Sequence, residues 1–189
     1  MLMDKYFETL EGLFKTIRET QREAMEKAAD AIVNSISNGG EVHIFDSGHI
    51  INSELIHRAG GFIFMKPFNY SLNVNSNPRI RNTEPKIKAN DADVIRLAFS
   101  RSNVRPGDIF ILGSVSGKSA NIIDLAFGAK EAGCTLITMT SGAYSQGLQS
   151  QHSSGKRLFE MGDFLLDNCA PEGDAMMSVE GIEHKVFPA

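Results

Sequence analysis

The chain has 189 residues, 42% of them hydrophobic, and carries 19 Lys+Arg against 23 Asp+Glu for a net charge of −4. That length suits one ordinary domain, and the apolar content is enough for a real core, which excludes a disordered chain. The mild acidity lacks the basic footprint of a nucleic-acid binder. No stretch reads as a membrane span or a basic-then-apolar leader, so a soluble cytoplasmic protein is expected.

Residues 3–38 form one long amphipathic pattern, with Phe7, Leu10, Leu13 or Phe14, Ile17, Met25, Ala28 or Ala29, Ile32 and Ile36 at helical spacing. "SNGG" (37–40) ends it with left-handed C-cap residues. This helix has more apolar face than a small core needs, so part of it is expected to contact another subunit. "EVHIFDSG" (41–48) switches to a short β-like run, and "HIINSELIHRAGG" (49–61) returns to helical period. "FIFM" (62–65) reads as a second strand. Residues 66–90 are rich in Asn, Pro and Arg with weak periodicity, as in a loop that covers a site.

"DADVIRLAFSRSN" (91–103) is helical and "RPGD" (105–108) is a turn signal. "IFIL" (109–112) is apolar on both faces, as at the centre of a parallel sheet. A helix over 119–132, a β run "CTLITMTS" (134–141), a short helix within 152–163 and a strand "FLLDN" (164–168) follow. Alternation of this kind predicts right-handed crossovers and a layered α/β sheet without a domain linker. Cys134 and Cys169 each fall in or beside a strand and are expected to be buried thiols of a reducing compartment, with no disulfide framework.

The segment after "IFIL" concentrates the chemistry. "GSVSGKSANIIDLAFGAKEAG" packs Ser114, Ser116, Lys118 and Ser119 around Gly117, between a buried strand and a helix start. Two readings stay open. The serines either hold an anion, using the free first-turn amides and the dipole of the helix N-terminus, or Ser116 caps the helix and the others face solvent. Gly117 would let the backbone approach a ligand. A nucleotide P-loop does not fit, because G-x-x-x-x-G-K-[ST] needs glycine where Leu112 stands.

"GDIFILGSVSGKSANIIDLAFGAKEAGCTLITMTS" resembles the signature of SIS (sugar isomerase) domains, a phosphosugar-binding family. "SVSGKSANII" is similar to the corresponding loop of phosphoheptose isomerases. "VHIFDSGHIINSE" resembles the family's first strand and turn. "QHSSGKRLFEMGDFLLDN" with "PEGDA" is similar to a little-characterised subgroup of SIS proteins. The resemblance implies one SIS domain over 1–189, a three-layer α-β-α sandwich around a five-stranded parallel sheet. It also implies a homodimer or homotetramer whose sites borrow residues from a neighbour, with residues 1–38 as a subunit contact. It makes Ser114, Ser116 and Ser119 the phosphate-binding hydroxyls, with Gly117, Lys118 and the strand-ending Thr140 beside them. Ser47 and Gly48 form the first turn of the site. The family often has Ser or Thr where Ile50 stands; either His49 or Asn52 takes over that contact, or the ligand sits differently, or the pocket has lost the usual phosphosugar activity. Family members usually continue beyond a stretch like "EHKVFPA", so further residues are expected after 189.

Aldose–ketose isomerisation needs a base near neutral pKa. Glu54 and His57 are three apart on one helix face, where they are either a catalytic pair or a half-solvated surface pair. Glu84 in "NTEPK" is either a catalytic glutamate of the covering loop or a helix-start carboxylate. His152 either reaches the substrate or is a lone surface histidine, and His43 is expected to be structural. Glu54 and His57 do not match the His-then-Glu zinc spacing of some phosphoheptose isomerases, and Met161, Met176 and Met177 read as core filler. No metal or cofactor is expected. The function expected is binding of a phosphorylated sugar or amino sugar, with isomerisation as the reaction. The alternatives are a non-catalytic phosphosugar-sensing regulator and a sugar-phosphate lyase or etherase on the same fold.

Overall fold

The computed structural model describes residues 1–47, 55–56, 59–73, 75 and 91–188. Five strands organise it: β1 (Val42–Asp46), β2 (Met65–Pro67), β3 (Ile109–Gly113), β4 (Thr135–Thr140) and β5 (Phe164–Asp167). They lie in the order β2-β1-β3-β4-β5, every neighbouring pair parallel. The strand period of two splits the apolar run of β3 between the faces. Phe110 and Leu112 pack under α3 (Asp91–Arg101) and α4 (Ala120–Glu131), among Ile95, Leu125, Ala126 and Ala129. Ile109 and Ile111 pack on the other face with Ala28 and Ile32 of α2 (Arg22–Ser37) and with Leu55 and Ile56. This is the expected α-β-α sandwich, and all of β3 is buried as its central place requires.

The pairing brings Asp46 level with Gly113, and Gly113 level with Met139. The chain therefore leaves β1 and β3 at the same height. The connection after β1 leads to β2 on one side and that after β3 leads to β4 on the other, which makes the carboxyl ends of β1 and β3 the switch point where a crevice is expected.

Three expectations needed correction. The long N-terminal helix is two, α1 (Leu2–Thr20) and α2, interrupted at Gln21 (φ −107, ψ −5). Backbone bonding continues through it (Gln21 N–H to Ile17 O, 2.8 Å; Met25 N–H to Gln21 O, 2.9 Å), while its side-chain Oε1 accepts the Asp167 N–H at 3.0 Å. "FIFM" is not the second strand: Phe62, Ile63 and Phe64 are exposed, and β2 begins at Met65. It ends on Pro67, whose missing N–H is tolerated on an edge strand. Cys134 is buried, but Cys169 is only half-buried and lies 3.9 Å from Thr20 Oγ1. Burial, then the Asp108 charge, pushes the Cys134 thiol up to about 12. A hairpin of β6 (Ala175–Met177) and β7 (Val186–Pro188) was not anticipated. It rests on α1, with the Phe187 ring 5.5 Å from Tyr6 and Thr9 Oγ1 donating to Met177 Sδ at 3.6 Å. Among the described residues no helix is long and apolar enough to cross a membrane.

The "RPGD" turn closes on a buried carboxylate at the opposite end of the sheet from the crevice. Asp108 is 3% exposed and accepts the N–H groups of Glu41 (2.9 Å) and Arg105 (2.8 Å), with His43 Nε2 at 3.1 Å. Burial pulls its pKa up, but the two amides and His43 together outweigh burial and hold it below the usual carboxylate value. A depressed folded pKa adds stability that is present above the unfolded value of about 3.9 and is lost as pH falls through the folded one. Asp108→Asn is therefore expected to cost about 1–3 kcal/mol at pH 7. The variant should also lose less stability than the wild type between pH 5 and pH 2, as urea titrations across that range would show. His43, 4% exposed in this network, is a structural histidine.

Candidate functional site

The loop after β3 is fastened before it reaches the helix. Ser114 N–H donates to Met139 O at 3.0 Å, and the Ser114 hydroxyl, 4% exposed, accepts the Gly117 N–H at 3.3 Å. Thr140 Oγ1 and Ser141 N–H both donate to Val115 O, at 2.9 and 3.0 Å. Leu158 N–H donates to Gly117 O at 2.8 Å. Gly117 has φ +58, and a Cβ there would stand 2.9 Å from Leu158 Cβ and 3.1 Å from Thr140 Oγ1. Its lack of a side chain thus serves packing against the protein, not the close approach to a ligand expected from sequence.

Helix α4 starts at Ala120, so the N-cap position belongs to Ser119 and not to Ser116. Ser119 has the extended backbone of a cap (φ −68, ψ 140), and its carbonyl accepts from Ile122 and Ile123 at 3.2 and 3.3 Å. Its hydroxyl makes no cap bond. It instead lines a cavity of about 350 Å³ with Ser47, Ser114, Val115, Ser116, Tyr144 and Gly173. Larger hollows exist, one of about 690 Å³ between β2 and α3, but none of them holds these serines. The cavity sits where β1 and β3 end, at the N-terminus of α4, and uncharged hydroxyls converge on it. That arrangement suits an anion, because the first-turn amides and the helix dipole point the same way.

The comparisons with known proteins agree with this fold. A family model described as "SIS domain" matches residues 5–141. The chain belongs to the SIS domain family. A UPF0309 protein of Shouchella clausii (strain KSM-K16) is 35% identical over 98% of this chain and 76% of its own length. Another, from Oceanobacillus iheyensis, is 34% identical with the same coverage. Among solved structures, a phosphoheptose isomerase from Neisseria gonorrhoeae superposes with a TM-score of 0.56 at 17% identity, covering 91% of this chain and 86% of that one. The sugar isomerase domain of an RpiR transcription factor from Sphaerobacter thermophilus gives 0.52 at 17% identity, covering 92% and 78%. These two likenesses show the SIS fold.

Of the SIS-derived candidates, Ser47, Ser114, Ser116 and Ser119 come together around one cavity. Thr140 is fully buried and holds the loop through Val115, so it positions the serines. Lys118 does not line the cavity, and its carbonyl accepts the Gln151 N–H at 2.9 Å. His152 does not line it either. Its Nε2 is 3.2 Å from Asp124 Oδ1, its Nδ1 is 2.7 Å from Ser154 Oγ, and its ring is 5.6 Å from Phe127, along the flank of α4. Gly48, His49, Ile50, Asn52, Glu54, His57 and Glu84 lie outside the described residues. No group of three or more His, Cys, Asp or Glu able to hold a metal occurs among the described residues.

Three lining residues are not among the candidates: Val115, which stands between two of the candidate serines, Tyr144 and Gly173. Tyr144 belongs to a short helix, α5 (Gly142–Gln146), that the small polar residues around it conceal. Ser141 Oγ accepts its N–H at 3.3 Å and donates to Ala170 O at 2.6 Å, while Asp167 Oδ1 accepts the Gly142 N–H at 2.9 Å. Asp167 and Ala170 reach α5 only through the pairing of β5 with β4. Gly173 is the third residue of "PEGDA", with φ +76, and its placement at the cavity carries no local signal beyond a glycine turn.

Proposed function

We propose that this crevice binds a phosphorylated sugar or amino sugar and isomerises it between aldose and ketose, in a homodimer or homotetramer. The observation that carries the reading is the hydroxyl at the N-cap of α4, which lines the cavity with three further serines and caps nothing. The phosphate takes the hydroxyls of Ser116 and Ser119 and the first-turn amides of α4, with Ser114 behind them. The sugar lies toward Tyr144 and Ser47, where the phenol and hydroxyl meet its oxygens. Isomerisation needs a base to take the proton from the carbon beside the carbonyl and return it to the neighbouring carbon through an enediol. Glu54, His57 and Glu84 are the candidates for that base. The shared fold with phosphoheptose isomerases supports this reading. The likeness to a transcription factor's sugar isomerase domain, at the same identity and a slightly lower TM-score, supports a second one, in which the sugar phosphate binds without turnover and acts as a signal.

The test is a thermal-shift screen of hexose and hexosamine phosphates beside the parent sugars and inorganic phosphate. A ligand at a hundred times its Kd stabilises the native state by about 2.7 kcal/mol, a shift of several degrees at this chain length. A shift with a sugar phosphate and none with its parent sugar is expected. Exchange of the substrate's C2 proton with solvent then separates isomerase from sensor. No shift with any phosphate would sink both readings.

A further inference from the structure

We propose that Ser154, His152 and Asp124 form a further active site, a serine–histidine–aspartate relay that hydrolyses short-chain acyl esters. It lies on the flank of α4, apart from the serine-lined cavity, and does not depend on sugar-phosphate binding.

The three side chains connect in sequence. Ser154 Oγ is 2.7 Å from His152 Nδ1, and His152 Nε2 is 3.2 Å from Asp124 Oδ1. The backbone sets the tautomer. The Ser154 N–H donates to Nδ1 at 3.0 Å, so Nδ1 carries the ring's lone pair and Nε2 carries its proton. Nε2–H then donates to Asp124, and the Ser154 hydroxyl proton is directed at Nδ1. One lone pair of Ser154 Oγ accepts the Lys156 N–H at 3.2 Å, which leaves the other for attack. Ser154 is exposed, whereas the side chains of His152 and Asp124 are 14% and 16% exposed. A nucleophile open to substrate, backed by a shielded base and a carboxylate that orients it, is the order acyl transfer needs.

The turn keeps its shape without these groups. Gln151 N–H donates to Lys118 O at 2.9 Å, the Ser150 hydroxyl to Lys156 O at 2.6 Å, and Gly155 N–H to His152 O at 2.9 Å. Those bonds close the turn and fasten it to the loop before α4, and none involves the imidazole. The ring is held instead by Asp124 and by Phe127, 5.6 Å away, which stand three apart on one face of α4.

In the reaction, Ser154 Oγ attacks the ester carbonyl carbon and its proton passes to His152 Nδ1. The C–O bond to the alcohol breaks, the departing oxygen takes that proton, and Ser154 is left acylated. Water then attacks the acyl carbon with Nδ1 as base, which releases the acid and restores the hydroxyl. Asp124 touches no substrate and is a positioning residue: it orients the ring and faces the positive charge that forms on it. Lys156, exposed on the same turn, supplies positive charge to the developing oxyanion. Ser153 and Gly155 are exposed beside Ser154, so a short acyl group suits the site better than a long chain that would need burial.

The full chain with p-nitrophenyl acetate tests this. Turnover above the buffer rate is expected, and peptide mass mapping of acid-quenched samples should place an acetyl group on Ser154. Ser154→Ala and His152→Gln should each lower kcat about 100-fold or more, while Ser153→Ala leaves it unchanged. Asp124→Asn should lower kcat about 10-fold or more at unchanged KM, with partial recovery in Asp124→Glu. A turn that had merely loosened would give neither the split nor the recovery. Thermal melts establish that each variant is folded, and exposed Ser154→Ala decides the matter if the others are not. Wild-type protein no faster than buffer, acetyl groups on lysines or other hydroxyls but not on Ser154, or wild-type rates in Ser154→Ala would each overturn the relay. A sugar-phosphate screen without a hit leaves these outcomes unchanged.

Discussion

Gly117→Ala is expected to cost about 2–4 kcal/mol of stability and to abolish sugar-phosphate binding. Two costs add. The first is the backbone: φ is +58, where an L side chain crowds its own carbonyl. The second is space, because the new methyl meets Leu158 Cβ at 2.9 Å, Thr140 Oγ1 at 3.1 Å and Ser145 Oγ at 3.2 Å. Leu158 and Thr140 are fully buried, so neither can turn outward. The loop must move instead, and it carries Ser114, Ser116 and Ser119 with it. Gly155→Ala separates the two costs. Gly155 also has positive φ, +72, but open space beyond it, so its alanine variant should lose only the backbone part, about 1–2 kcal/mol, and bind normally. Urea unfolding and calorimetric titration of both variants measure this. Equal stability losses in the two would mean that the contacts beneath Gly117 yield, and the loop is softer than its hydrogen bonds imply.

What the sequence reveals here follows from how local each signal is. β3 and β4 are legible because a strand covered on both faces must be apolar at nearly every position. α4 is legible because a helix packed on that sheet must repeat its apolar residues at helical period. "FIFM" misleads for the same reason, since an apolar run marks burial and Ile63 is 95% exposed. The break at Gln21 has no glycine or proline to announce it, and the Gln21 side chain is tied to β5, far along the chain. Tyr144 is the instructive miss. Its helix is set by Ser141 and by a carboxylate on β5 that only sheet pairing brings near. The serine cluster was legible as chemistry, yet which serine occupies the N-cap was not, because the helix start depends on how Leu158 and Thr140 pin the preceding loop.

That last point makes Ser119→Ala the sharpest test of the site. At an ordinary N-cap the change removes a side-chain bond and costs about 1 kcal/mol. Here no such bond exists, so stability should fall by less than about 0.5 kcal/mol, while affinity for the sugar phosphate should fall about 10- to 100-fold as a bond to a charged oxygen is lost. Ser116→Ala is expected to behave the same way. Ser141→Ala supplies the contrast, because its fully buried hydroxyl does cap α5 and also donates to Ala170 O. Its loss should cost about 1–3 kcal/mol in stability and disturb binding only through Tyr144. Thermal melts with calorimetric titrations of the sugar phosphate giving the largest shift would separate the three. If Ser119→Ala melts as early as Ser141→Ala and binds like the wild type, its hydroxyl serves the helix after all. Affinity lost at unchanged stability would mean that the protein leaves this helix end uncapped so that a ligand's phosphate can complete it.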